Sequence, residues 1–256
     1  MLLISGCTGV DTASPTNLER ASADAGLVDG GRSGGGAVDT GGPFGETHAG
    51  SYHVGPVDWE ESVFTNSCGP YPLSIQTLEG INLAGVDNAV NANGTACDAC
   101  AQITTRMGKA LLVRIVTTGV SNGAGDMDLS PEAFATIHLA DPQGTASNPR
   151  PMTWRFAHCA SASAIRLQFQ TEANAYWTSL WVRNSNLSLS SVKVKSSKHA
   201  SFTVLRRETD GTLNDDNGFG EGPFTLQLTA VDGQIIEQTF TGFTPGALVE
   251  TSLQFH

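Results

Sequence analysis

Apolar residues recur along this chain in short runs. From residue 101 onward they fall at 101–105, 111–117, 153–157, 164–169, 177–182, 191–194, 202–205, 224–229 and 235–240. Clusters of Gly, Asn, Asp or Pro separate them. Runs this short with that punctuation predict strands, and their regular spacing predicts two successive all-β domains. One segment breaks the pattern. Ser130-Pro131-Glu132 places a capping hydroxyl, a proline at the first helical position and a carboxylate in the first turn. A helix should continue from there through Ala133, Phe134 and Ile137.

Organised sequence begins near His48. Residues 8–45 are Gly, Ser, Ala, Asp and Thr with almost no large apolar side chain, and they read as a flexible tether because nothing there can offset backbone ordering. Ahead of it, Ile4-Ser5-Gly6-Cys7 has the form of the end of a bacterial lipoprotein signal. Cys7 is therefore the candidate lipidation site, although the positive and long apolar regions that usually precede it are missing. The expected organisation is a signal remnant and tether over 1–45, one β domain over 46–159 and a second over 160–256. On this reading the protein is exported, held on an outer surface or released, and touches a membrane only through its lipid. No apolar run reaches the ~18 residues a spanning helix needs.

Net charge is −11, negative in each of the three regions. That sign repels phosphate and excludes nucleic acid and anionic lipid as partners, while a neutral glycan is compatible. Lys193, Lys195 and Lys198 form a small basic stripe that reads as a solvated strand face. Apart from Cys7, the cysteines are Cys68, Cys97, Cys100 and Cys159. Zinc would favour two CxxC halves, and only Cys97-Asp98-Ala99-Cys100 has that form. A redox pair would want a βαβ setting. Disulfides are expected in an exported chain, with three pairings open. No metal and no cofactor is expected.

Several segments in order resemble the microbial expansins. Asp128-Leu129-Ser130-Pro131-Glu132-Ala133-Phe134 is similar to that family's D-L-S-P-x-A-F segment. Met152-Thr153-Trp154-Arg155-Phe156-Ala157-His158-Cys159 resembles its closing V-x-W-R-x-V-x-C strand. Asn93 to Cys100 resembles C-G-x-C-Y, and Asn66-Ser67-Cys68-Gly69 resembles A-C-G-Y. In the second half, Tyr176-Trp177-Thr178-Ser179-Leu180-Trp181-Val182-Arg183-Asn184 resembles Y-W-x₃-Q-V-R-N. Arg206, Gly222-Pro223 and Leu253-Gln254-Phe255 fit further landmarks. The resemblance spans roughly 46–256. It implies a six-stranded double-psi β-barrel followed by an immunoglobulin-like β-sandwich, with bridges Cys68–Cys97 and Cys100–Cys159.

The resemblance also implies a function: binding and loosening of cellulose or a related β-glucan by a monomer, without hydrolysis. Asp128 stands where the family keeps its groove carboxylate. Hydrolysis needs two carboxyl groups flanking the bond. Where microbial expansins carry T-D-x-Y, this chain reads Val116-Thr117-Thr118-Gly119-Val120, with neither the acid nor the aromatic. Asp126 lies on the same strand face as Asp128 and reads as a turn residue. His48-Ala49-Gly50-Ser51-Tyr52-His53 resembles the opening strand, which puts Tyr52 and His53 near the groove. Trp59 and Tyr71 are weaker stacking candidates. In the second domain, exposed rings stack on the apolar faces of sugars. Tyr176 and Trp177 match the family's aromatic pair, while the third ring is missing from Glu208-Thr209-Asp210-Gly211. Strand alternation offers Trp181 as an exposed replacement. The competing readings are a cellulose adhesin with a degenerate groove, a glucan hydrolase, and a peptidoglycan-cleaving protein resembling rare lipoprotein A.

Overall fold

The computed structural model describes residues 45–55, 65–71, 82–91, 93–119, 123–140 and 150–256. Cys7, Trp59, Val120 and the expected tether up to residue 44 lie outside them.

The first half closes into a barrel. Its strands are β1 (His48–Val54), β4 (Asn82–Val86), β5 (Cys100–Thr105), β6 (Ala110–Thr118), β7 (Met127–Leu129) and β8 (Arg150–Ala157). A two-residue pair, β2 (Thr65–Asn66) and β3 (Gly69–Pro70), stands outside it. The order around the barrel is β1-β7-β4-β6-β5-β8, with β8 returning to β1. β1 runs parallel to β7 and β4 parallel to β6, while the remaining neighbours are antiparallel. Alternation decides what fills it. In β8, Met152, Trp154 and Phe156 point inward while Pro151, Thr153 and Arg155 face out. Ile103, Val113, Ile115, Met127, Leu129 and Phe134 complete the core. Burying side chains of this size contributes about 1.5–3 kcal/mol each.

The helix forms where its caps predict. Helix α1 (Pro131–Ala140) starts after Ser130, whose Oγ accepts the Ala133 N–H at 3.4 Å. Its Ala133, Phe134 and Ile137 seal the barrel core.

The second half is a sandwich. One sheet has the order β13 (Arg206–Arg207), β14 (Leu213–Asp215), β10 (Thr178–Arg183), β9 (Arg166–Phe169) and β17 (Leu248–Glu250). The other is β12 (His199–Val204), β11 (Leu189–Ser196), β15 (Phe224–Ala230) and β16 (Ile235–Phe240). Between them lies an aliphatic and phenylalanine core that includes Leu167, Phe169, Leu180, Val182, Val192, Val194, Phe219, Phe224, Leu226 and Leu228.

Two disulfides hold the barrel segments, Cys68–Cys97 and Cys100–Cys159, the pairings the family resemblance implies. Each typically contributes about 2–4 kcal/mol, mainly by restricting the unfolded chain.

Every residue of β10 is buried, which is unusual for a strand in an outer sheet. Leu180 and Val182 enter the sandwich core, and the opposite face, with Trp181 and Arg183, meets the barrel. Trp181 is 6% exposed. Its indole lies against Gly69, where any Cβ would collide with it, and the positive φ of that glycine (79°) suits the absence of a side chain. The expectation that Trp181 is an exposed sugar platform is therefore corrected. Alternation placed it on the outer face of its sheet, but the barrel covers that face.

Arg183 donates to the carbonyls of Cys68 and Pro70, both at 3.1 Å, and its guanidinium stacks 3.9 Å from the centre of the Tyr71 ring. Burial pushes the Tyr71 phenol well above its usual range, and Asp98 adds to the push while Arg183 and Arg114 oppose it. Tyr71 is a packing residue of this junction, not a stacking surface.

A second set of contacts crosses between the domains at Asp98. Its Oδ2 accepts the Asn184 N–H at 2.6 Å and an Arg114 N–H at 3.1 Å. Arg114 also donates to the Asp98 carbonyl at 3.0 Å and to Asn184 Oδ1 at 3.4 Å. Asp98 and Asn184 both adopt left-handed backbone, φ 66° and 63°, a conformation Asp and Asn tolerate better than other side-chain-bearing residues.

Candidate functional site

The barrel's outer face carries one transverse row. Strand register sets His53 beside Asp128, Asp128 beside Gly85, and Gly85 beside Thr117. Paired residues share a face, and their neighbours Met127, Leu129 and Ala84 point into the core. The row therefore lies outside the barrel. Gly85 has no side chain, so among the described residues none stands between Asp128 and Thr117, and this trough is two strand spacings or roughly 10 Å wide.

Thr117 and the pair β2–β3 form the far wall. Ser67 Oγ lies 2.8 Å from Thr117 Oγ1, donates to the Thr118 carbonyl at 2.8 Å, and accepts the Thr118 N–H at 2.6 Å. This wall is where the family resemblance leads one to look for a second carboxylate, and hydroxyls occupy it.

The acids near Asp128 have other partners. Asp126 Oδ1 accepts the Ser51 N–H at 2.7 Å, and its Oδ2 lies 3.6 Å from His53 Nε2. Those contacts tie the turn at 123–126 to β1, consistent with the turn reading. Asp87, which alternation did not single out, follows β4 and caps the short 3-10 turn Asn88–Val90 by accepting the Ala89 N–H at 2.8 Å.

The two residues proposed from the opening strand part company. His53 is half-buried on the outer row, next to Asp128 in register. Tyr52 is 0% exposed: it points into the barrel, edge-on to Phe134 at 5.8 Å and under Arg150 at 5.9 Å. Its expected place near the groove as a polysaccharide-binding residue is corrected, because successive residues of a strand face opposite sides and His53 takes the outer one.

In the sandwich, Tyr176 and Trp177 sit on the turn entering β10. Tyr176 is 69% exposed and Trp177 is half-buried. Asn174 builds this turn. Its Oδ1 accepts the N–H groups of Tyr176 (2.9 Å) and Trp177 (3.1 Å), while its own N–H donates to the Trp177 carbonyl at 2.7 Å. Such a side-chain-closed turn orders the backbone that carries both rings. Beneath it, Phe219 N–H donates to Thr178 Oγ1 at 3.1 Å, and His199 Nε2 lies 2.5 Å from Asp215 Oδ2. Lys198 Nζ stands 5.2 Å from the centre of the Tyr176 ring. Neither Asn174 nor Lys198 was singled out as part of the platform. The Asn-x-Tyr-Trp spacing is the signal that could have revealed the first.

Among the described residues the site thus has two parts, a barrel trough whose row holds the carboxylate of Asp128 and an aromatic turn on the sandwich. Among the described residues no group of three or more His, Cys, Asp or Glu side chains could hold a metal ion.

Residues 165–256 match the family model described as the expansin-like protein middle domain. Expansin-like protein 5 of Dictyostelium discoideum is 24% identical over 196 residues, covering 74% of this chain and 79% of the relative. Expansin-like protein 6 of the same organism is 21% identical over 203 residues, covering 77% and 69%. Among solved structures, the apo expansin of Clavibacter michiganensis superposes with a TM-score of 0.69 at 17% identity, covering 82% of this chain and 98% of that one. A point mutant of that expansin in complex with cellohexaose gives 0.68 at 16% identity, with the same coverage. The sandwich that carries the aromatic turn matches the expansin-like middle domain, and the closed barrel and sandwich together have the fold of the Clavibacter expansin: the chain is similar to the expansin-like proteins over most of its length.

Proposed function

We propose that this protein binds cellulose or a closely related β-glucan and loosens it without cutting it. The observation that carries this reading is the trough. Hydrolysis by either common route needs two carboxyl groups facing each other across the bond, roughly 5–9.5 Å apart. Among the described residues Asp128 is faced across the row by Thr117, with Ser67 hydrogen-bonded to it, while Asp126 sits in the turn before β7 and is engaged by Ser51 and His53. A carboxylate accepts hydrogen bonds from glucan hydroxyls strongly, because it is charged. It cannot supply acid and base at once.

In this reading each part has a task. Tyr176 and Trp177 hold the flat face of a glucan chain, and a neutral glucan suits a chain of net charge −11. Asp128, with His53 beside it, grips a chain lying in the trough, so that gripping competes with the contacts between chains. The mutant Clavibacter expansin was solved with cellohexaose, which supports a linear β-glucan as ligand.

The same reading keeps the division of the chain at 46–159 and 160–256, with 1–45 a tether carrying a lipid on Cys7. The two disulfides support export, where such bonds persist.

A second reading has its own observation. The segment 116–120 has neither the acid nor the aromatic of the expansin T-D-x-Y pattern, and a barrel weakened there would leave an adhesin that binds without loosening. Extension of cellulose strips under constant load separates the two. Wild type should extend them, and Asp128→Asn should reduce the extension at least tenfold while still being retained on cellulose. Retention without extension by wild type establishes the adhesin instead.

A further inference from the structure

A hollow of about 300 Å³ opens where the barrel meets the sandwich. Its wall is Ser67, Asn88, Asn91, Asn93 and Thr118 from the barrel and Thr209 from the sandwich. The two segments in which the sequence departs from the expansin pattern, 116–120 and 208–211, each contribute a threonine. They are far apart in the chain, and neither alone suggests a cavity.

The chemistry of the lining is narrow. All six side chains are amides or hydroxyls, with no charge and no aromatic ring among them. Among the described lining residues a carboxylated or phosphorylated ligand would find no cation, and a sugar no ring to lie on. A neutral sugar held by its hydroxyls fits, because amides and hydroxyls both donate and accept. The volume stands at the lower end of the ~300–1,000 Å³ typical of small-molecule pockets, which is room for one sugar ring.

The hollow is also fixed in place. Asn91 is 5% exposed, and its Nδ2 donates to the Thr209 carbonyl at 2.7 Å, pinning the sandwich loop to the barrel. Its Oδ1 accepts no hydrogen bond from any described residue. Thr118 is held by Ser67 through both its N–H and its hydroxyl. Asn88 and Asn93 are exposed and present their amides at the rim.

A flat platform and a concave polar hollow select different parts of a polysaccharide. The rings of Tyr176 and Trp177 suit a backbone lying flat, whereas the hollow suits a unit that projects from one. We propose that this junction hollow is a subsite for a single neutral sugar carried as a branch on a β-glucan backbone. The proposal rests on the glucan reading above and adds to it a preference for branched over unbranched chains.

Calorimetric titration of the full chain with two soluble ligands tests it: an unbranched cello-oligosaccharide, and the same backbone bearing a 6-linked xylose. Wild type should bind the branched ligand about tenfold more tightly, the worth of two or so added hydrogen bonds. The double variant Asn88→Ala/Asn93→Gly should lose that advantage and keep its affinity for the unbranched ligand. Both positions are exposed, and glycine keeps the left-handed backbone of Asn93, φ 54°, so the fold should hold. Thr209→Phe, which fills the hollow, should give the same loss. Equal wild-type affinity for the two ligands overturns the subsite and leaves the glucan reading standing. So does an equal fall for both in the double variant. Binding to neither ligand overturns both.

Discussion

Replacing Tyr176 or Trp177 by alanine is expected to release the protein from microcrystalline cellulose, with about a 30-fold loss of affinity for each ring. The figure is that of an interfacial anchor worth 2 kcal/mol or more. The two variants have different costs to the fold. Tyr176 is 69% exposed, so its removal takes away contact area for a ligand and almost nothing from the core. Trp177 is half-buried, and its variant should lose some stability as well. Asn174→Ala provides the control. It leaves both rings in place but removes the acceptor that orders the turn, so retention should fall by less than either ring deletion. Depletion from the supernatant at graded cellulose loading, with a thermal scan of each variant, checks all three. Full retention of Tyr176→Ala would remove the sandwich turn from the binding surface.

The largest effect on stability is expected at Asp98. Its carboxylate is 5% exposed and joins Arg114 of the barrel to the backbone of Asn184 in the sandwich. Asp98→Ala would leave the Arg114 guanidinium buried beside an unpaired amide. Removing one partner of a buried ion pair costs about 3–5 kcal/mol, because the other charge stays desolvated. In a folded unit of this size that corresponds to a fall in Tm of about 6–20 °C. Neighbouring Cys97 and Cys100 anchor the same loop, so the loss should appear as unfolding of the junction with both disulfides intact. Differential scanning calorimetry under non-reducing conditions measures it. An unchanged transition would mean the two domains do not depend on this contact.

Much of this arrangement was legible in the residues. The Ser-Pro-Glu start located α1 to within a residue, and short apolar runs between turn residues marked β8 and β15, each of which has one face in the core. Asp128 and the Tyr176–Trp177 pair were readable because they stand in segments that resemble a family. The short strands β13, β14 and β17 were not, since two or three residues carry no period. Trp181 shows a deeper reason. Periodicity states which face of a sheet a side chain occupies, but not what lies against that face. Here a loop more than a hundred residues earlier covers it, bridged by Arg183 to Cys68. Tyr52 fails by one position, as a period of two makes costly: its neighbour His53 has the outer place. The junction hollow was invisible for the same reason as Trp181, because its wall joins residues 67, 88–93, 118 and 209.

Whether this barrel grips glucan without cutting it is decided by the release of soluble sugar. The full chain is incubated with amorphous cellulose across acid to neutral pH, and soluble cello-oligosaccharides are measured by chromatography against an Asp128→Asn control. Neither protein should release sugar above the buffer blank. Release by wild type that vanishes in Asp128→Asn would contradict it, making Asp128 a catalytic acid and the trough an active site.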